Sequence, residues 1–74
     1  MRTWSSSNPT ECDVCGDIIM DEFVDGKLYR KDAWAIMCPS CHKEHGVGLG
    51  TGKGQRYKAV GADFVNAEDI PVPL

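Results

Sequence analysis

Two CxxC pairs, a hairpin signal between them and a chain of only 74 residues predict a small, β-rich domain stabilised by a metal ion. The pairs are Cys12-Asp13-Val14-Cys15 and Cys38-Pro39-Ser40-Cys41, separated by 22 residues. Each CxxC turn can aim two sulfurs at one ion, and a hairpin between the turns brings the pairs together. Four thiolates in a tetrahedron form a closed structural zinc site. The chain's size supports the same reading. A domain this short rarely stabilises itself without a disulfide, a metal or a partner, and only two Trp, two Tyr and two Phe are available for a core.

The elements follow in chain order. Residues 1–10 read as a flexible N-terminal arm, because Ser5-Ser6-Ser7-Asn8-Pro9 offers turn chemistry and nothing to bury; Trp4 has two candidate docking places, the domain itself or a partner. Residues 11–65 read as the single zinc-binding domain. Within it, Phe23-Val24-Asp25-Gly26-Lys27-Leu28-Tyr29 places Asp-Gly between apolar pairs, a type I′ hairpin signal. A competing register makes 22–29 one strand, turns at Arg30-Lys31-Asp32 and returns along 33–37, with Trp34 and Ile36 on one face. Pro39 just inside and Gly46 just past the end punctuate a short helix after the second CxxC. Residues 46–55 form a glycine-rich loop, 56–65 one or two short strands broken near Gly61, and 66–74 an extended, proline-interrupted tail.

The expected metal ligands are Cys12, Cys15, Cys38 and Cys41, with one Zn2+ as the cofactor and iron as the alternative occupant of the same thiolates. Four free thiols, or a disulfide formed on oxidation, are the structural alternatives. His45 lies one helical turn after Cys41 and could replace a cysteine; otherwise His42 and His45 face solvent or cap the helix. A closed site leaves no open coordination position, which argues against metal catalysis and for a chain that is not an enzyme.

The net charge is −3 and unevenly spread. Arg2 stands against Glu11, Asp13, Asp17, Asp21, Glu22 and Asp25 in the first 26 residues, whereas Lys43, Lys53, Arg56 and Lys58 face only Glu44 between 43 and 58. That total disfavours a non-specific nucleic-acid binder while leaving room for a local basic patch. The acidic set reads as a solvated face, or as a surface for a basic protein. The polar N-terminus lacks a secretory hydrophobic stretch and the longest apolar run, residues 33–38, is far short of a membrane span, so the expected location is the cytoplasm with no membrane partner.

The segment GVGLGTGKGQRYK is the remaining puzzle. It fails as a phosphate loop of GxxxxGK[ST] type, since Val47 and Gly54 stand where Gly and Ser or Thr are required. It fails as a dinucleotide fingerprint as well, so no small-molecule substrate is expected. Two functional readings survive: an extended run whose five glycines share one face and admit a close neighbour, or a contact loop in which Lys53, Arg56 and Lys58 hold phosphates and Tyr57 stacks a base. A solvated connector is the alternative, although Val47 and Leu49 are expected to pack on the metal module and anchor the loop's base.

CDVCG, the hairpin signal and WAIMCPSC together resemble the zinc-ribbon and treble-clef families, over residues 11–45. More narrowly, FVDG through WAIMCPSCHKEHGVGLGTGKGQRY is similar to small zinc-ribbon proteins of bacteriophages and prophages. That resemblance implies a metal-binding accessory protein, in the host cytoplasm if viral, contacting a nucleic acid, a nucleoprotein complex, or a host or phage protein. CDVCGDIIMDE and DAWAIMCPSC also resemble rubredoxins, which implies an iron electron carrier. Here, however, Trp34 sits four residues before Cys38, the inter-knuckle segment is short, and Ile18 and Ile19 replace the expected aromatics. MCPSCHKEH resembles the second knuckle of HNH endonucleases, but residues 16–37 contain no histidine to serve as general base or metal ligand.

Overall fold

In the computed structural model, residues 3, 4 and 7–69 are described; the rest of the expected arm and the proline-interrupted stretch 70–74 lie outside them. The chain folds as β1 (Glu22–Lys27), β2 (Trp34–Met37), α1 (Pro39–His45), β3 (Gly54–Val60), β4 (Asp63–Asn66) and a closing 3-10 turn (Ala67–Asp69). All strand pairs are antiparallel and the sheet order is β2-β1-β3-β4.

The hairpin takes the second of the two expected registers. Val24 pairs with Met37 and Lys27 with Trp34, so Asp25-Gly26 lies inside β1 and the chain reverses at 28–33. Arg30, at φ 66°, takes the left-handed position of that turn. Gly26 has a different use from turning. It faces Gly54 across the β1–β3 pair, and a Cβ on Gly26 would lie 3.2 Å from the Lys53 carbonyl oxygen and 3.4 Å from the Gly54 Cα. The two glycines let the glycine loop close tightly on β1.

The other elements obey local chemistry. Pro39 opens α1, where its missing N–H removes no intrahelical bond, and the Gly46 N–H returns to the His42 carbonyl to close it. β3 and β4 are joined by a turn in which Gly61 has φ 64°. Gly50–Gly54 closes as its own tight turn, with Gly50 N–H on Gly54 O at 2.8 Å and the reverse bond at 3.0 Å. The glycine run is thus a pinned loop rather than an extended strand. Its base is held by main-chain bonds, Tyr29 N–H to His45 O at 2.6 Å and a bridge between Leu28 and Gly46, whereas Leu49, 42% exposed, is not the expected packing anchor.

Strand alternation divides the side chains between two faces. One carries Phe23, Phe64 and Ile19, with Trp4, Ile36 and Tyr57 packed around them. Trp4 meets Phe23 and Tyr57 edge-on, at 5.1 and 5.3 Å between centroids, and Phe23 stacks on Tyr57 at 5.2 Å. Part of the expected flexible arm is therefore tied down: Trp4 N–H donates to Phe64 O at 2.8 Å, and Thr3 bridges to Val65. The opposite face carries Val24, Ala35 and Met37 and supports Cys12, Cys41 and α1. Asn66, fully buried, is satisfied by bonds to Gln55 Oε1 and from the Glu68 N–H. No helix among the described residues is long and apolar enough to cross a membrane.

Candidate metal centre

The first cysteine pair sits in a tight loop. Cys12 N–H bonds to Asp17 O, Gly16 N–H bonds to Cys12 O, and Gly16 supplies the φ of 77° that such a reversal needs. Bridging of Glu11 with Ile18, and Ile19 N–H on Thr10 O, close the loop into a small ribbon. The second pair stands where β2 hands over to α1. Cys38 is the extended residue before the helix, and Cys41 is buried in its first turn.

What joins the two supports is Asp13. Its N–H donates to Ile36 O at 2.8 Å and its carboxylate accepts from the Ile36 N–H at 2.9 Å, so the first knuckle is clamped onto the outer edge of β2, two residues before Cys38. Sequence reasoning placed Asp13 on a solvated acidic face. The only signal for the clamp was a carboxylate inside a CxxC turn, and it needed the β2 edge to have meaning.

The four Sγ atoms of Cys12, Cys15, Cys38 and Cys41 all lie within 4.8 Å of one another. Cys15 and Cys38 are 3.8 Å apart, which is the edge expected of a tetrahedron whose zinc–sulfur bonds are about 2.3 Å. The donor set and spacing fit a single tetrahedral ion. Main-chain N–H groups already favour thiolate at one corner: Val14 N–H lies 3.4 Å and Cys38 N–H 3.3 Å from Cys12 Sγ. Burial opposes charge on Cys12, but the amides of Cys15, Cys38 and Val14 outweigh it and bring its thiol down to about 6. Burial and the neighbouring thiols push Cys41 the other way, toward the protonated form. An ion that binds all four must displace the protons still present.

Neither histidine belongs to the cluster among the described residues. His42 Nε2 lies 3.0 Å from Gly48 O, tying α1 to the glycine loop, and His45 is exposed beside Glu44 at 3.8 Å.

The expected contact residues are spread out. Lys53 sits at the tip end of the glycine loop, with its carbonyl accepting from Lys27 N–H at 2.8 Å. Arg56 and Lys58 project from the metal-bearing face of β3, and Arg56 Nε pairs with Glu22 at 3.2 Å. Tyr57 projects from the other face into the aromatic cluster. Period-two alternation separates the aromatic from the cations on either side of it.

Comparison with family models, with curated proteins and with solved structures finds no match to this chain.

Proposed function

We propose that this chain is a non-enzymatic, zinc-binding accessory module of zinc-ribbon or treble-clef type that contacts a nucleic acid or nucleoprotein complex. The carrying observation is the four-sulfur cluster built from two separate supports, an N-terminal knuckle and a strand-to-helix junction. Last ligands in the first turn of a helix after a hairpin suit the treble-clef resemblance, and a four-thiolate site leaves no position for a reacting water. Zinc is the expected ion because the site is tetrahedral and sulfur-only; iron fits the same donors. The nucleic-acid part is supported by exposed cations on the glycine loop and β3. A phage or prophage origin rests on the sequence resemblance alone.

Elemental analysis after native purification tests the metal. One zinc per chain in a colourless protein is expected; a red, iron-containing protein with a reversible redox wave would replace this reading with a rubredoxin-like electron carrier. Gel shifts with single- and double-stranded DNA and RNA across a salt series test the contact, and no shift at low salt sinks it.

A second reading has its own observation. Val14, Ile18 and Met20 are exposed, by 41, 77 and 83%, in a loop that also carries Asp13, Asp17 and Asp21. Exposed apolar side chains interspersed with carboxylates suit a basic protein surface, and therefore an inhibitor or adaptor of a host complex. Retention of a lysate protein by the wild type, lost on Ile18→Ser with Met20→Ser, is the outcome that favours it.

A further inference from the structure

We propose that the depression between the β1–β2 turn and the glycine loop is a groove for single-stranded nucleic acid. Lys27, Arg30, Lys31 and Lys53, which line it, hold the phosphates, while Tyr29 and Trp34, which flank the same turn outside the lining, stack bases. The proposal rests on the nucleic-acid reading above and names a different site for it. The depression has a volume of about 450 Å3 and is lined by those four cations, by Asp32 and by apolar residues including Leu28. The cations come from two segments distant in sequence, brought together by the Lys27 N–H to Lys53 O bond that the Gly26–Gly54 approach permits.

Their charges are poorly compensated. Among the described residues, Arg30, Lys31 and Lys53 have no carboxylate partner. Lys27 has only Asp32, at 4.0 Å, and the Asp32 side chain is fully exposed and free to swing aside. Arg56, by contrast, is occupied by Glu22. Four cations around one concavity repel each other unless an anion joins them.

The aromatics narrow the anion to a class. Tyr29 and Trp34 bracket the same turn and are 60 and 54% exposed, unlike the packed Tyr57. Trp34 lies directly across from Lys27 in the strand register, and the Arg30 guanidinium lies 5.3 Å from the Tyr29 ring. A free phosphate has no use for exposed rings. Bases in a duplex are already stacked, so rings beside cations suit an unpaired strand. The acidic residues Asp21 and Glu22 lie at the opposite end of β1 from Lys27, about 17 Å away for five steps at strand rise. The resulting charge separation would orient the molecule groove-first toward a polyanion.

The test is fluorescence anisotropy of labelled oligothymidylate, oligouridylate and a duplex of equal length across a salt series, using the metal-loaded full chain. The wild type is expected to bind single strands more tightly than duplex. Lys27→Ala/Arg30→Ala/Lys31→Ala should weaken single-strand binding at least tenfold and flatten the log–log salt slope by about 2, the value for three lost phosphate contacts on a single strand. Tyr29→Ala should weaken it about tenfold with the slope unchanged. Arg56→Ala/Lys58→Ala should weaken it less than the triple variant does. Circular dichroism and metal content confirm that each variant is folded. If the Arg56/Lys58 variant loses binding while the triple variant keeps it, the groove is wrong and the nucleic-acid reading stands. Equal affinity for duplex, insensitive to Tyr29→Ala, overturns the single-strand assignment. Absence of binding to every probe overturns the groove and the nucleic-acid reading together.

Discussion

The two faces of the sheet achieve stability by different means. On one, three aromatic rings and two isoleucines gather around Phe23, which is fully buried. The force there is apolar burial, with about 0.5–1.5 kcal/mol more for each well-placed ring pair. On the other, the buried side chains beneath the cysteines include Ala35 and Met37, and the element they carry is a seven-residue helix. A helix that short does not persist alone in water, and the knuckle at 12–17 has almost nothing apolar to offer. The apolar packing therefore lies on one face of the sheet, whereas the knuckle and helix meet at four cysteines positioned to coordinate an ion. A small chain with six aromatics can build one compact core; here the cysteine cluster occupies the face opposite it.

The largest effect that would expose this asymmetry is metal removal. Binding free energies of about 10–16 kcal/mol are typical of structural zinc in finger peptides, far more than a domain of this size can lose. Chelation is expected to abolish the cooperative thermal transition and most far-UV ellipticity, with recovery on adding zinc back. A native-like spectrum after verified removal would show the aromatic core to be sufficient for both faces.

Phe23→Ala should come next, at about 3–5 kcal/mol, because it removes the ring at the centre of the cluster. If the faces are separate, the metal-loaded variant melts earlier but titrates with zinc as wild type once folded. Asp13→Ala should cost about 1 kcal/mol, through loss of the bond to the Ile36 N–H. It should also weaken zinc affinity, as loss of a ligand-positioning group commonly does by about 10-fold or more; unchanged affinity measured by chelator competition would reduce Asp13 to a surface residue.

The smallest effect concerns Asp25, half-buried on the aromatic face. Burial raises its pKa in the folded state, so its charged form works against folding at neutral pH, and that cost is relieved as pH falls. Asp25→Asn should raise the melting temperature slightly at pH 7, with the gain shrinking as pH approaches the ordinary aspartate value of 3.8. Acid would in any case release the ion by protonating thiolates, so the comparison belongs in the range where both proteins remain metal-loaded.

Legibility in the sequence tracked how local each cause is. The cysteine pairs, the Pro39-opened helix and the Gly61 turn are all set within a few residues of themselves, and all are present. Asp25-Gly26 is a turn signal only while nothing pairs with both sides of it. Once β3 lies along β1, the pairing from Glu22 to Gly26 outweighs a two-residue turn preference, and the glycine serves close approach instead. The Asp13 clamp and the grouping of Lys53 with Lys27 both depend on which strand neighbours which, and local periodicity carries no information about that. The split of Arg56 and Lys58 from Tyr57 was readable from alternation alone, given that residues 54–60 form a single strand.

The ends of the sheet carry a consequence for handling. An open strand edge is an invitation to pair with another chain. One outer strand, β4, is met by Thr3 and Trp4, and the other, β2, by Asp13. Both guards come from the first thirteen residues, and the second is positioned by the knuckle. Loss of the ion would therefore do more than loosen a helix: it would uncover Trp34–Met37, a β-prone apolar edge. Demetallated samples should tend toward intermolecular strand addition, and fusions at the N-terminus should be judged by whether they leave those guards in place.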